Sequence, residues 1–153
     1  MTRIGIISDT HGLLRSEAVA YLNGCDLIIH GGDIGSSEIL SELGKIALVR
    51  AVRGNVDTQE WCGKVPHDDV VEIAGKTIYI LHDLEQLDLD PKAAGFDIVV
   101  SGHSHIPKLE RRADVWYLNP GSAGRRRFKL PISIARLGIS GEKVSFEIGE
   151  LSV

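Results

Sequence analysis

Cysteine is scarce in this chain, and its two copies, Cys25 and Cys62, form no C-x-x-C pair. That excludes a disulfide framework and a thiolate metal site, and it reads both residues as small buried hydrophobes. Long apolar runs are missing as well, since no window approaches the roughly 18 residues of a membrane span. The opening MTRIGIISDTHG holds only Ile4 to Ile7 as an apolar stretch, too short for a signal peptide, so a cytoplasmic location is expected. An excess of basic charge is also lacking: 17 Lys and Arg stand against 21 Asp and Glu, for a net charge of -4. General binding of nucleic acid or an anionic membrane is thereby disfavoured, because both need a basic face to displace counterions. The local exception is Arg125-Arg126-Arg127, with Arg111-Arg112 nearby, which reads either as a solvated turn or as a phosphate-contacting loop. Without a repeat, linker or low-complexity tract, one domain spanning residues 1–153 is expected, large enough to bury a core.

What is present is an alternation of short β-type runs and helical patterns in the first third. Ile4 to Ser8, RSEAVAYLNG, Leu27 to His30, SSEILSELGK and Ile46 to Val52 follow one another as a βαβαβ pattern. In the first helical segment Ala18, Val19 and Leu22 share a face, with Ser16 as N-cap and Gly24 as stop. Ile39, Leu40 and Leu43 repeat this between Ser36 and Gly44, so both helices can cover a parallel sheet. Further strands are expected at 69–73, 77–81, 97–101, 115–118, 132–137 and 144–148. Residues 84–95 read as a loop leading into a short helix interrupted by Pro91. The last third, with turns such as GISGEK and little helical pattern, should form antiparallel pairs.

Chemistry collects where these strands end. Ile4 to Ser8 runs into Asp9-Thr10-His11, Leu27 to His30 into Gly31-Gly32-Asp33, and Ile46 to Val52 into Arg53-Gly54-Asn55. Thr77 to Leu81 runs into His82, and Asp97 to Ser101 into Gly102-His103-Ser104-His105. The carboxyl edge of an open α/β sheet is where ligands bind, because strand ends hold side chains rigidly at one rim. Two Asp, one Asn and four His offer only oxygen and imidazole nitrogen, a set suited to Mn, Fe, Zn, Co or Ni and larger than one tetrahedral zinc would take. Seven such groups point to two ions, and Asp33 is the natural bridge, since a carboxylate can hold both about 3.5 to 4 Å apart. The glycines at 31, 32, 54 and 102 would permit tight turns or positive φ that aim these groups into one pocket. Gly31-Gly32 is no P-loop, for the Lys-Ser/Thr signature is absent.

The series D-T-H, GGD, GN, a strand-end His and GHSH, together with NPGS at 119–122, resembles the calcineurin-like metallophosphoesterases, in particular their small single-domain bacterial and archaeal phosphodiesterase branch. The likeness runs from residue 4 to about residue 125. It implies an α/β fold, a four-layer α/β/β/α sandwich of two mixed sheets. By position, it implies one ion held by Asp9, His11, Asp33 and His105 and another held by Asp33, Asn55, His82 and His103, with a water or hydroxide between them. Asp9, Asp33, Asn55 and His103 are then the catalytic residues, manganese is the foremost metal, with nickel, zinc, iron or cobalt as alternatives, and a small phosphodiester is the substrate. A homo-oligomer stays open. Asn119-Pro120-Gly121-Ser122 reads as a type II turn by itself; the resemblance adds Asn119, Ser122 and Arg125 as substrate contacts.

Two departures matter. Relatives often read G-N-H-D/E and use that His to protonate the leaving group, whereas this chain reads Gly54-Asn55-Val56-Asp57; placing His at 56 would find Asp57 beside it as an orienting partner. Relatives also often read H-G-H where this chain has His82-Asp83-Leu84, so Leu84 removes a polar group that could face substrate. His30 reads as a hydrogen-bonded core residue that steadies Asp33, and His67, in KVPHDD, as a surface residue. Two other functions compete: an interaction scaffold, as in a eukaryotic relative that serves a membrane-trafficking coat with an altered metal site, and a phosphomonoesterase or nuclease.

Overall fold

Alternation along the strands places the core. In β1 (Thr2–Ile7), Ile4 and Ile6 point one way and Gly5 and Ile7 the other, and all four residues are buried. The computed structural model, which describes residues 1–153, resolves this two-sidedness as two stacked sheets with helices on the outside of the first.

The first sheet has the order β10-β9-β1-β2-β3, with β2 at Leu27–His30, β3 at Leu48–Ala51, β9 at Ser133–Ser140 and β10 at Lys143–Glu150. Strands β1, β2 and β3 are parallel, while β9 runs antiparallel to both β1 and β10. The second sheet has the order β4-β5-β6-β8-β7, with β4 at Asp68–Ile73, β5 at Lys76–Leu81, β6 at Ile98–Val100, β7 at Lys108–Arg112 and β8 at Val115–Asn119. Here β5, β6 and β8 are parallel and the two edge strands antiparallel. Both sheets are mixed, as expected. Ile4, Ile6, Leu27 and Ile29 of the first pack against Ile78, Ile80, Ile98 and Val100 of the second in one continuous core. At the sheets' edges Arg50 of β3 forks onto Asp69 of β4 with bonds of 2.7 and 2.8 Å.

Helices α1 (Ser16–Leu22) and α2 (Ser37–Gly44) cover the outer face of the first sheet, burying Ala18, Leu22, Ile39 and Leu43 with Ile7 and Ile28. At seven and eight residues they owe their stability to this burial. Gly5 lets α1 in: a Cβ there would overlap Leu22. Ser36 caps α2 by accepting the Glu38 N–H, as its position implies, but Arg15 rather than Ser16 occupies the cap position of α1, and the Ser16 hydroxyl bonds Glu17 instead. Over the outer face of the second sheet, around Tyr79, Leu81 and Val99, lie only a 3-10 turn at Leu84–Gln86 and the loop that follows, so the fourth layer holds no α-helix.

Candidate metal centre

All the parallel strands end at one rim. The loops after β1 and β2 stay laced beyond the strands, with Asp9 N–H bonded to Gly32 O at 2.9 Å and His11 N–H to Asp33 O at 2.9 Å; the loop after β6 is tied to β5 by Gly102 N–H to His82 O at 2.9 Å. Two clusters result, Asp9, His11 and His105 in one and Asp33, His82 and His103 in the other, with ligand atoms in each within 4.8 Å of one another. Each cluster takes its carboxylate from the first sheet and at least one imidazole from the second. Asp33 Oδ2 joins them, lying 3.6 Å from His11 Nε2 and 3.2 Å from His82 Nε2.

Backbone conformation at these positions is unusual. Asp9, His11, Asp33, His103 and His105 all have positive φ, between 47° and 70°. Left-handed backbone costs a residue with a Cβ roughly 1 kcal/mol or more, and Asp and His tolerate it better than most. Of the glycines expected to supply positive φ, only Gly32 does so, at 102°. Gly54 and Gly102 serve by close approach: a Cβ on the first would overlap the Asp33 carboxylate, and one on the second would come within 2.6 Å of Asp9 Oδ2.

Surrounding groups hold each ligand in one orientation. Asp9 Oδ2 accepts from the Ser8 hydroxyl at 2.7 Å and the His103 N–H at 3.2 Å, which leaves Oδ1 free. Asp33 Oδ1 accepts the Val56 N–H at 3.0 Å. Burial opposes ionisation of Asp33, but His82 and the Val56 N–H outweigh it and hold the carboxyl down at about 2. His82 donates from Nδ1 to Gly31 O at 2.7 Å, which turns its Nε2 toward Asp33. Burial disfavours the charged form of His82, yet the facing carboxylates of Asp33 and Asp9 prevail and raise its pKa. Asp9 Oδ1, His11 Nε2, His82 Nε2 and His105 Nδ1 are buried without a hydrogen-bond partner. Asp9 Oδ1, His11 Nε2 and His82 Nε2 face one another across one pocket, with His105 Nε2 3.4 Å from Asp9 Oδ1, and such a set fits divalent cations, since an unpaired buried group costs about 1–3 kcal/mol.

Asn55 lies exposed on the loop after β3, between Gly54, which packs on Asp33, and Val56, which bonds it. The NPGS segment works inside the chain. Gly121 has φ 80°, as a type II turn requires. Asn119 donates to Gly102 O at 2.9 Å and Ser104 Oγ at 3.1 Å and accepts from the Gly121 N–H, while the Ser122 hydroxyl donates to Asp9 O at 3.0 Å. Both side chains are buried and brace the GHSH loop and Asp9, and Asn119 also lines the cleft beside His103. Arg125 is exposed next to Gly124, which packs against the backbone of Asp9 and Thr10.

Three supporting residues escaped the sequence reading. Asp57 is 3% exposed, and its carboxylate accepts the N–H groups of Ile34, Gly35 and Gly54 at 2.9 to 3.1 Å, clamping two ligand loops together. It is therefore not free to orient a ring at position 56. The only signal was an Asp within reach of a GN turn. Ser8, bonded to Asp9, looked like the last residue of an ordinary strand. Asp83 places Oδ2 3.8 Å from His103 Nε2. His30 behaves as expected: Thr10 donates its hydroxyl hydrogen to Ile34 O, so His30 Nε2–H donates to Thr10 at 3.0 Å, while Nδ1 accepts the Gly32 N–H at 3.1 Å.

A two-sheet α/β sandwich presenting paired Asp and His clusters at its strand ends is the architecture of a metal-dependent phosphoesterase. The chain belongs to the calcineurin-like phosphoesterase superfamily, whose domain model matches residues 2–142. It is 34% identical to a probable metallophosphoesterase of Methanothermobacter thermautotrophicus, over 95% of this chain and 90% of the relative. A phosphodiesterase of Methanocaldococcus jannaschii is 31% identical over 78% of this chain and 82% of its own length. The fold is also that of vacuolar protein sorting 29 from Cryptosporidium parvum, with a TM-score of 0.85 at 22% identity, covering 99% of this chain and 92% of that one. No helix is long and apolar enough to cross a membrane.

Proposed function

We propose that the protein is a cytoplasmic phosphodiesterase, one catalytic domain over residues 1–153, that works with two divalent ions, manganese foremost. The observation that carries this reading is Asp33 Oδ2, which faces His11 of one cluster and His82 of the other at 3.6 and 3.2 Å. Asp9, His11, Asp33 and His105 would hold one ion, and Asp33, Asn55, His82 and His103 the other. When bound, such a pair polarises the phosphoryl oxygens and brings the pKa of water down toward about 7. The chain's own part is positioning. Asp9 and Asp33 present oxygens fixed by Ser8, His103 N–H and Val56 N–H; Asn119 and Ser122 fix the loops that carry His103, His105 and Asp9.

Val56 stands where many relatives, though often not the small phosphodiesterase branch, carry a proton donor, which favours esters whose leaving group departs without a general acid. The rival reading, a scaffold of the same fold, draws on the likeness to vacuolar protein sorting 29. All seven ligand positions are retained and four of their atoms lack any other partner, which favours the enzyme. Loading the purified protein with manganese and assaying aryl mono- and diesters decides between them. Two ions per chain, with diester hydrolysis abolished by chelator, is the expected result; one ion at saturation, or no hydrolysis of either ester, overturns the proposal.

A further inference from the structure

Beside His103, on the outer face of the second sheet, a cleft of about 420 Å³ opens next to the metal clusters. That size lies within the range of small-molecule sites, roughly 300–1,000 Å³. Leu84 and Ile106 contribute aliphatic side chains to its lining, and Tyr117 lines it as well. Ile106 is 50% exposed and belongs to no core cluster, so its apolar surface is left facing the cleft and solvent.

The charges around the cleft argue about what enters it. Lys108 and Arg112 both pair with Glu110, the first at 3.0 Å, and the Arg112 guanidinium also lies over the Tyr117 ring at 4.2 Å. Asp83 and Glu85 line the cleft as well. Three carboxylates thus stand against two cations, and both cations are already engaged. A second phosphate would have to compete with Glu110 for Lys108 and Arg112 and would face Asp83 and Glu85, whereas a flat uncharged group meets the aliphatic side chains of Leu84 and Ile106.

Resting on the phosphodiesterase reading above, we infer that this cleft is the specificity pocket for one organic substituent of the ester, and that it selects an uncharged planar ring. Calorimetric titration of the manganese-loaded protein with phenylphosphonate and methylphosphonate tests this, in the wild type, Ile106→Asp and Ile106→Leu. The wild type and Ile106→Leu should bind the phenyl compound about tenfold more tightly than the methyl one. Ile106→Asp should bring that ratio close to one, weakening the phenyl compound more than the methyl one. With a p-nitrophenyl diester the same variant should raise KM by a larger factor than it lowers kcat. Equal phenyl-to-methyl ratios in all three proteins would overturn the pocket while leaving phosphoester hydrolysis intact. Failure to bind either phosphonate, together with no ester hydrolysis, would overturn the pocket and the proposed function together.

Discussion

Asp9 and Asp33, at the ends of the first sheet's strands, are 0% and 5% exposed, whereas the His103 side chain, after β6 of the second sheet, is 41% exposed. The contrast extends outward from the site. Beneath the first sheet lie two helices and a tight net of Thr10, His30 and Asp57 bonds; over the second lie a single 3-10 turn, a loop and a cleft. The first half thus holds the negative charge in a fixed, dry frame, and the second, whose His82 and His105 are equally buried, opens at His103 and the cleft beside it. Because each ligand cluster draws on both sheets, bound ions would also link the halves across the rim.

The sharpest way to break this comparison is to weaken the fixed half at its shared atom. Asp33→Asn removes a charge that faces both clusters and should lower kcat/KM on a diester by on the order of 10³-fold, with metal content falling at both sites. His103→Ala, in the exposed half, should reduce metal content from two toward one and leave the first cluster occupied. Metal analysis alongside kinetics checks both. Equal metal loss in the two variants would show that the sites fill only together and that the halves are not separable.

A smaller effect probes the frame under the carboxylates. Burial pushes the His30 imidazole down to about 4. In the unfolded chain it titrates near 6.5, so between about 6.5 and 4 the unfolded state binds a proton that the folded state refuses. The stability associated with neutral His30 is therefore complete above about pH 6.5 and is lost as pH falls through that window, by about 3 kcal/mol in all. His30→Gln should be less stable at pH 7 yet lose less of its melting temperature on going to pH 4.5, with chelator present in both series so that ligand release does not contribute. Parallel acid limbs in the two proteins would mean that another group sets the acid sensitivity of this half.

Much of this asymmetry could be read in the residues beforehand, and the part that could not has physical reasons. Leu27 to His30 is a strand by composition alone, and the Asp and His residues that follow strands are visible because polar ligands interrupt apolar runs. Strand β7, KLERR, carries no apolar alternation because it is an edge strand with mostly exposed side chains, so it escaped notice. The place of β9 beside β1 depends on residues some 130 positions apart and has no local signal. Asp57 was misjudged for a related reason: a carboxylate near a metal motif looks free to act until the backbone groups that consume it are known. Left-handed φ at five of the ligands was equally hidden, since the glycines beside them looked like the natural bearers of that conformation.

The smallest effect sharpens the boundary between the two halves. Val56 is 45% exposed, so its side chain leaves room for an imidazole, while its N–H is bonded to Asp33. A well-placed general acid contributes about 10²- to 10⁴-fold, most for basic alkoxide leaving groups. In Val56→His, however, the neighbouring Asp57 carboxylate is already spent on the Ile34, Gly35 and Gly54 N–H groups and cannot orient the ring. The variant should therefore gain less than about tenfold on alkyl diesters and nothing on aryl ones, with metal content unchanged. The measurement is kcat/KM for diesters of rising leaving-group pKa in both proteins. A gain approaching 10² on alkyl esters would show that the ring finds its geometry without Asp57. In that case the fixed half would stop at Asp33, and the loop from Asn55 onward would belong with the open, adaptable side of the site.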